Sequence, residues 1–140
     1  MSQNDQIRTG RHCVFMMHCH LIFVTKYRGN ILDQHVLSFM EALMRNICEQ
    51  FEVELTEFNG EQDHVHLLIN YPPKVQISKL VNSLKGVSSR KIRRSFPNVY
   101  YHWTNKTAGS LWSPSYFSGS VGGAPIDVLK QYIEQQSRPL

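Results

Sequence analysis

Two short stretches of the chain share one pattern, His64-Val65-His66 within "DHVHLLIN" and His18-Cys19-His20 within "HCHLIFVT". Residues two apart on a β-strand project to the same face, so on extended backbone each pair aims two imidazoles at one point. Neutral imidazole ligates several divalent ions, and such convergence is the first requirement of a metal site. The flanking residues separate the two pairs. Val65, Leu67 and Ile69, with Asp63 in the same parity, form the set that belongs toward a core, which leaves His64, His66, Leu68 and Asn70 on the opposite, more polar face. His18 and His20 lie on a strand that is apolar on both sides, with Cys19, Leu21 and Phe23 on one and Ile22 and Val24 on the other. Satisfied structural histidines are the expectation there.

A pair of histidines is not a reaction centre without a reactive group. The segment "LKQYIEQQ" places Tyr132 and Gln136 four residues apart, about one turn of a helix. Gln136 offers an amide oxygen. Tyr132 offers a phenol with an ordinary pKa of about 10, a weak nucleophile until a cation or base stabilises its phenolate. Taken alone, a packed tyrosine and a solvated glutamine are the plainer account of these two residues.

The elements that would have to bring these groups together follow from periodicity. Val14 to Thr25 is apolar and rich in β-branched and aromatic residues, as a buried strand is, and "KYRGN" turns the chain. Asp33 can cap a helix in which Val36, Met40, Leu43, Ile47 and Phe51 recur at helical spacing. Glu52 to Phe58 alternates, "NGEQ" makes a turn, and Val65 to Tyr71 returns as the second strand of a hairpin ended by Pro72 and Pro73. Ile77, Leu80, Val81, Leu84, Val87, Ile92 and Phe96 put an apolar stripe on a second helix stopped by Pro97. A polar and aromatic loop follows, then a short strand in "LWSPSYFSGS", then a last helix with Pro125 in its first turn and Asp127 near its positive end. The order strand, helix, strand, strand, helix, strand, helix predicts an α+β ferredoxin-like sandwich, an antiparallel sheet with two helices on one face and a third helix appended.

Length and composition limit what such a domain can be. A chain of 140 residues suits one domain with a core of its own. No apolar run approaches the roughly 18 to 20 residues of a membrane-spanning helix, and the start "MSQNDQIRTG" is not a signal peptide, so a cytoplasmic protein is expected. Cys13, Cys19 and Cys48 form no C-x-x-C pair, which disfavours a disulfide framework or a thiolate zinc site. The formal charge of +4 is modest, but Lys79, Lys85, Arg90, Lys91, Arg93 and Arg94 occur without an intervening acid. A block of that kind suggests phosphate contacts, against the alternative of a solvated helix face.

With these features assembled, the chain resembles the single-tyrosine HUH transposases of the insertion-sequence 200/605 family, whose name denotes histidine, bulky hydrophobic, histidine. The likeness is carried by "HCHLIFVTKYRGNIL", "FNGEQDHVHLLINYPP", "VNSLKGVSSRKIRRSFP" and "LWSPSYFSGSVGGAPIDVLKQYIEQQ", in that order and over nearly the whole chain. It implies one HUH domain over residues 1–140, with a tether at 119–124 and a tyrosine helix at 125–136. It implies His64, His66 and Gln136 as ligands of Mg²⁺ or Mn²⁺, Tyr132 as nucleophile, and no nucleotide cofactor. The substrate implied is single-stranded DNA folded into hairpins, cut and rejoined through a 5′-phosphotyrosine link. An obligate homodimer is implied too, with the histidines of one subunit serving the tyrosine of the other and Gly122 and Gly123 as the hinge of that exchange. Lys26, Arg28, Lys85, Arg90 and Arg93 are then candidate DNA contacts, with Tyr100, Tyr101 and Trp103 as possible stacking platforms. Two rival classes stay open: a domesticated module that binds DNA or RNA hairpins without cutting, and a hydrolytic metallophosphodiesterase for which Tyr132 is incidental.

Overall fold

The computed structural model describes residues 7–97, 111–120 and 126–136, with all side chains among them except those of Tyr27 and residues 126–129. The strands are β1 (Arg8–Thr9), β2 (Val14–Phe15), β3 (His18–Val24), β4 (Glu54–Gly60), β5 (His64–Asn70) and β6 (Phe117–Ser120). The α-helices are α1 (Gln34–Gln50), α2 (Ile77–Ser95) and α3 (Ile126–Glu134), and a short 3₁₀ turn covers Lys26–Arg28. The main sheet has the order β4-β5-β3-β6, antiparallel throughout. With α1 between β3 and β4 and α2 between β5 and β6, this is the ferredoxin-like arrangement that the periodicity predicts.

The core explains the pattern of every strand in that sheet. Cys19, Leu21 and Phe23 of β3 and Val65, Leu67 and Ile69 of β5 meet Val36, Met40, Met44 and Ile47 of α1 and Leu80, Val81, Leu84 and Ile92 of α2 in one buried cluster. Local signals position the first helix: the Asp33 carboxylate accepts from the Val36 N–H at 2.8 Å, satisfying one of the helix's free donors. At its other end Glu52 takes φ 61°, a left-handed turn that starts the return toward β4. Trp112 reaches into the same core and donates its indole N–H to Ser88 Oγ on α2 at 2.9 Å, which accounts for a polar residue on the buried stripe of that helix.

The hairpin strands are shifted by one or two residues from expectation, to Glu54–Gly60 and His64–Asn70, and two other boundaries differ in ways that matter to the topology. Val14 to Thr25 is not one strand: Val14–Phe15 pairs with Arg8–Thr9 in a separate two-stranded sheet, and β3 begins only at His18. Period-two patterning cannot register a change of partner sheet between two apolar segments. The expected strand in "LWSPSYFSGS" is ordered only over Phe117–Ser120, with Trp112 joined to Thr25 by an isolated bridge. Pro114 lacks an N–H and interrupts any continuous ladder there. Gly122, Gly123, Pro125, Tyr100, Tyr101 and Trp103 lie outside the described residues, as does most of the expected tether.

Candidate active site

The second face of the sheet has its own small apolar cluster. Ile22 and Val24 of β3 are buried there against Phe117 of β6 and Tyr132 and Ile133 of α3. The double-sided apolar character of β3 thus has a plain cause, since helices α1 and α2 cover one face and α3 covers part of the other. Register places His64 opposite Val24 and His66 opposite Ile22, so both histidines share this second face, side by side with the residues under α3. Both are partly exposed, whereas Val65 and Leu67 are fully buried on the opposite side.

Each histidine is held by a polar partner. His64 Nδ1 lies 2.8 Å from Asp63 Oδ1, and the other carboxylate oxygen accepts from Arg28 Nε at 3.2 Å. Burial by itself would raise the Asp63 pKa, but the hydrogen bonds from His64 and Arg28 and their charges outweigh it and hold the carboxyl below its ordinary value. His66 Nε2 lies 2.7 Å from His20 Nδ1, with the rings stacked at a tilt, centroids 4.9 Å apart. Burial, and next the neighbouring His20, push the His66 pKa down, which favours the neutral, ligating form at neutral pH.

These contacts revise one sequence expectation and specify another. Asp63 does not share the parity of the core residues, because the chain bends before β5 begins at His64 and alternation does not extend past that bend. His20, expected to be a satisfied structural histidine, has His66 as its partner: β3 and β5 are neighbours, His20 stands opposite Leu68, and this sets it diagonal to His66 on the same face. The adjacency of first and third strands that defines the ferredoxin-like order is the signal from which that meeting could have been read.

The nucleophile candidate lies under a different set of contacts. The Tyr132 hydroxyl shares a hydrogen bond of 3.1 Å with Ser115 Oγ, and its ring tilts against Phe117 at 5.6 Å. Burial raises the Tyr132 pKa, partly offset by the Ser115 hydrogen bond, so the phenol stays protonated at neutral pH. Gln136 Oε1 accepts from Ser113 Oγ at 3.0 Å, and its amide nitrogen donates to the Tyr132 carbonyl at 3.3 Å. Among the described residues no hydrogen bond joins Tyr132 or Gln136 to His64 or His66. The helix ends at Glu134 rather than at 136, and the functional atoms of Tyr132 on α3 and of Gln136 just past its end are instead occupied by two serines of the 113–115 segment, a role that nothing in the sequence pattern announces.

That segment is itself clamped to α2. Lys85 Nζ donates to the carbonyls of Ser113 at 2.7 Å and Ser115 at 3.2 Å and approaches that of Pro114 at 3.4 Å, and burial depresses its pKa. Lys85, an expected DNA contact, therefore has its ammonium engaged within the fold. Arg28, another, is paired with Asp63. Arg90 and Arg93 are exposed on α2, beside Lys91 and Arg94, and Lys26 lies half-buried in the 3₁₀ turn.

The donor set suits a divalent cation in part. His64 has its Nδ1 on a carboxylate, which leaves Nε2 to a ligand, and a neutral His66 stands two residues away on the same face. No group of three His, Cys, Asp or Glu side chains gathers around a common point among the described residues.

Comparison with known proteins converges on one family. The family model described as "Transposase IS200 like" matches residues 13–136. The ISDra2 transposase TnpA of Deinococcus radiodurans is 32% identical over 132 residues, 94% of this chain and 91% of that protein. The transposase for insertion sequence element IS200 of Salmonella typhimurium is 27% identical over 117 residues, 84% of this chain and 74% of its own length. A crystal structure of a candidate transposase from Deinococcus radiodurans superposes with a TM-score of 0.84 at 35% identity, covering 94% of this chain and 98% of that one. A REP-associated tyrosine transposase bound to a REP hairpin shares the fold, with a TM-score of 0.54 at 9% identity over 91% of this chain and 68% of that one.

Proposed function

The chain belongs to the IS200-like transposase family, and on that premise we propose that it cuts and rejoins single-stranded DNA with Tyr132 as nucleophile and His64, His66 and Gln136 as ligands of Mg²⁺ or Mn²⁺. The observation that supports this most is the shared sheet face: His64 and His66 emerge from β5 beside the strand against which α3 packs the tyrosine. Hairpin ends are the substrate expected, since a transposase of the same fold is bound to one.

In the reaction the Tyr132 oxygen attacks the scissile phosphorus in line. A bond forms between that oxygen and phosphorus, the phenolic proton departs, and the 3′-oxygen leaves and takes up a proton. The products are a 5′-phosphotyrosine and a free 3′-hydroxyl. A bound divalent ion supplies charge neutralisation and alignment of the phosphate oxygens. The Asp63 carboxylate orients His64, and His66, whose Nε2 meets His20 Nδ1 at 2.7 Å, would have to release that contact to ligate through Nε2. Because the phosphotyrosine conserves the phosphodiester bond's reactivity, a second 3′-hydroxyl can attack it in the reverse sense, and no nucleotide cofactor is required.

The active form proposed is a homodimer in which the tyrosine helix of one subunit serves the histidines of the other. Support comes from the placement of Tyr132 and Gln136, whose functional atoms face Ser115 and Ser113 rather than the histidines of the same chain. Residues 119–124 would be the tether of that exchange, with Gly122 and Gly123 as its hinge.

The test is cleavage of a labelled single-stranded hairpin with and without Mg²⁺. His64→Ala and His66→Ala are expected to abolish cleavage and leave hairpin binding within a few-fold of the unmodified protein. Equal loss of both would assign the histidines to the fold rather than to the reaction.

A further inference from the structure

Arg28, Asp63 and His64 form a chain of polar contacts of which the proposed chemistry uses only the last link, Asp63 to His64. Their side chains are 10%, 15% and 18% exposed, unusually well covered for two charged groups and an imidazole at the end of a strand. The Asp63 backbone is pinned as well: its carbonyl accepts from the Thr25 N–H at 2.9 Å and from Thr25 Oγ1 at 3.1 Å. Arg28 sits at φ 55°, a left-handed conformation that an arginine rarely adopts without compensation from its surroundings. The strained turn places its guanidinium Nε 3.2 Å from Asp63 Oδ2.

The donor inventory makes this arrangement directional. A guanidinium N–H only donates, and an ionised carboxylate only accepts. With Oδ2 taken by Arg28, Asp63 presents Oδ1 to His64 Nδ1 at 2.8 Å, and that nitrogen must carry the hydrogen. We infer that Arg28 and Asp63 are positioning residues that lock His64 in the tautomer protonated on Nδ1, so that its Nε2 lone pair is the one presented to a cation. Neutral histidine left to itself favours the proton on Nε2, which would cover that lone pair. A carboxylate behind a ligand imidazole also fixes the ring's orientation and raises its basicity. This inference rests on the metal-dependent reading above, although the tautomer itself exists without metal.

The decisive variant is Asp63→Asn, which keeps the shape and changes the donor pattern. Arg28 would capture the amide oxygen, the amide NH₂ would face His64 Nδ1, and His64 would have to move its proton to Nε2. Removing the arginine donor in the double variant Asp63→Asn with Arg28→Met would free the amide to turn over and accept from Nδ1 again. Long-range ¹H–¹⁵N correlation spectra of the full chain, labelled at histidine and free of metal and DNA, read the tautomer of His64 directly. Expected are the Nδ1–H pattern in the unmodified protein, the Nε2–H pattern in Asp63→Asn, and at least partial return in the double variant. Mn²⁺ affinity should follow the same course, weakened about 10- to 100-fold in the single variant and recovered in the double.

An Nε2–H pattern in the unmodified protein, or an Asp63→Asn spectrum without a tautomer change, would overturn the inference, as would a double variant that fails to reverse it. A purely structural role for the pair predicts that two losses add, with no recovery. If the tautomer behaves as expected but the unmodified protein takes up no Mn²⁺, the metal reading fails and the tautomer assignment stands.

Discussion

At the scale of single residues, the proposed chemistry divides between groups that are ready and groups that are held away. His66 is neutral at neutral pH because burial and His20 depress its pKa, and His64 has a carboxylate behind it. Tyr132, by contrast, hydrogen-bonds Ser115 with its pKa raised by burial, so the docked phenol resists ionisation. Folding stabilises the protonated form of such a group, and that stability is fully present below the unfolded pKa of about 10 and lost as pH rises through the higher folded value. An alkaline titration of phenolate absorbance should show Tyr71 and Tyr132 ionising above the ordinary tyrosine value, with one of those high steps missing in Tyr132→Phe. A difference spectrum for Tyr132 centred at the ordinary value would mean that α3 is not docked as described. Ser115→Ala removes a hydrogen bond that favours the phenolate, so it should move the same transition further upward.

The elements show why part of the site was legible in the sequence and part was not. Period-two patterning alone put His64 and His66 opposite Val65, Leu67 and Ile69, and helical spacing put Tyr132 one turn from Gln136. These are consequences of local geometry, which sequence encodes directly. The partnership of His20 with His66, the Arg28–Asp63 pair and the engagement of Lys85 depend on which strands and turns become neighbours, and pattern reading within one element cannot reach them. Charge says least about such contacts: Lys85 and Arg28, read as phosphate contacts, each have a partner within the fold, one on the 113–115 segment and the other on a carboxylate. Lys85→Met should leave the carbonyls of Ser113 and Ser115 without their donor and lower stability by about 1–3 kcal/mol in urea unfolding. An unchanged midpoint would indicate that the clamp contributes nothing. Leu67→Ala, in the fully buried core under α1 and α2, should cost about 2–5 kcal/mol in the same experiment.

For the whole molecule, the ferredoxin-like sheet acts as a two-sided platform. Its first face is closed by α1 and α2, and its second face carries the histidines and α3. No helix among the described residues is long and apolar enough to cross a membrane. Arg90, Lys91, Arg93 and Arg94 are exposed at the basic end of α2, where the proposed phosphate contacts would lie. Hairpin affinity should fall with salt, and Arg90→Ala should reduce the slope of log K against log salt by about 1 if that residue meets a phosphate; an unaltered slope would exclude it from the interface. Mixing Tyr132→Phe with His64→Ala subunits should restore part of the cleavage that each lacks alone, because one composite site would then hold intact histidines and an intact tyrosine. Absence of any rescue would contradict shared sites.

Covalent joining of a tyrosine to DNA can be read by incubating the protein with Mg²⁺ and labelled single-stranded hairpin DNA. The products are then resolved on a denaturing gel and the DNA-linked peptide is mapped by mass spectrometry. An adduct is expected on the peptide that contains Tyr132, absent in Tyr132→Phe. Cleavage that survives in Tyr132→Phe would contradict it in favour of hydrolysis, and hairpin binding without cleavage would contradict it in favour of a binding module.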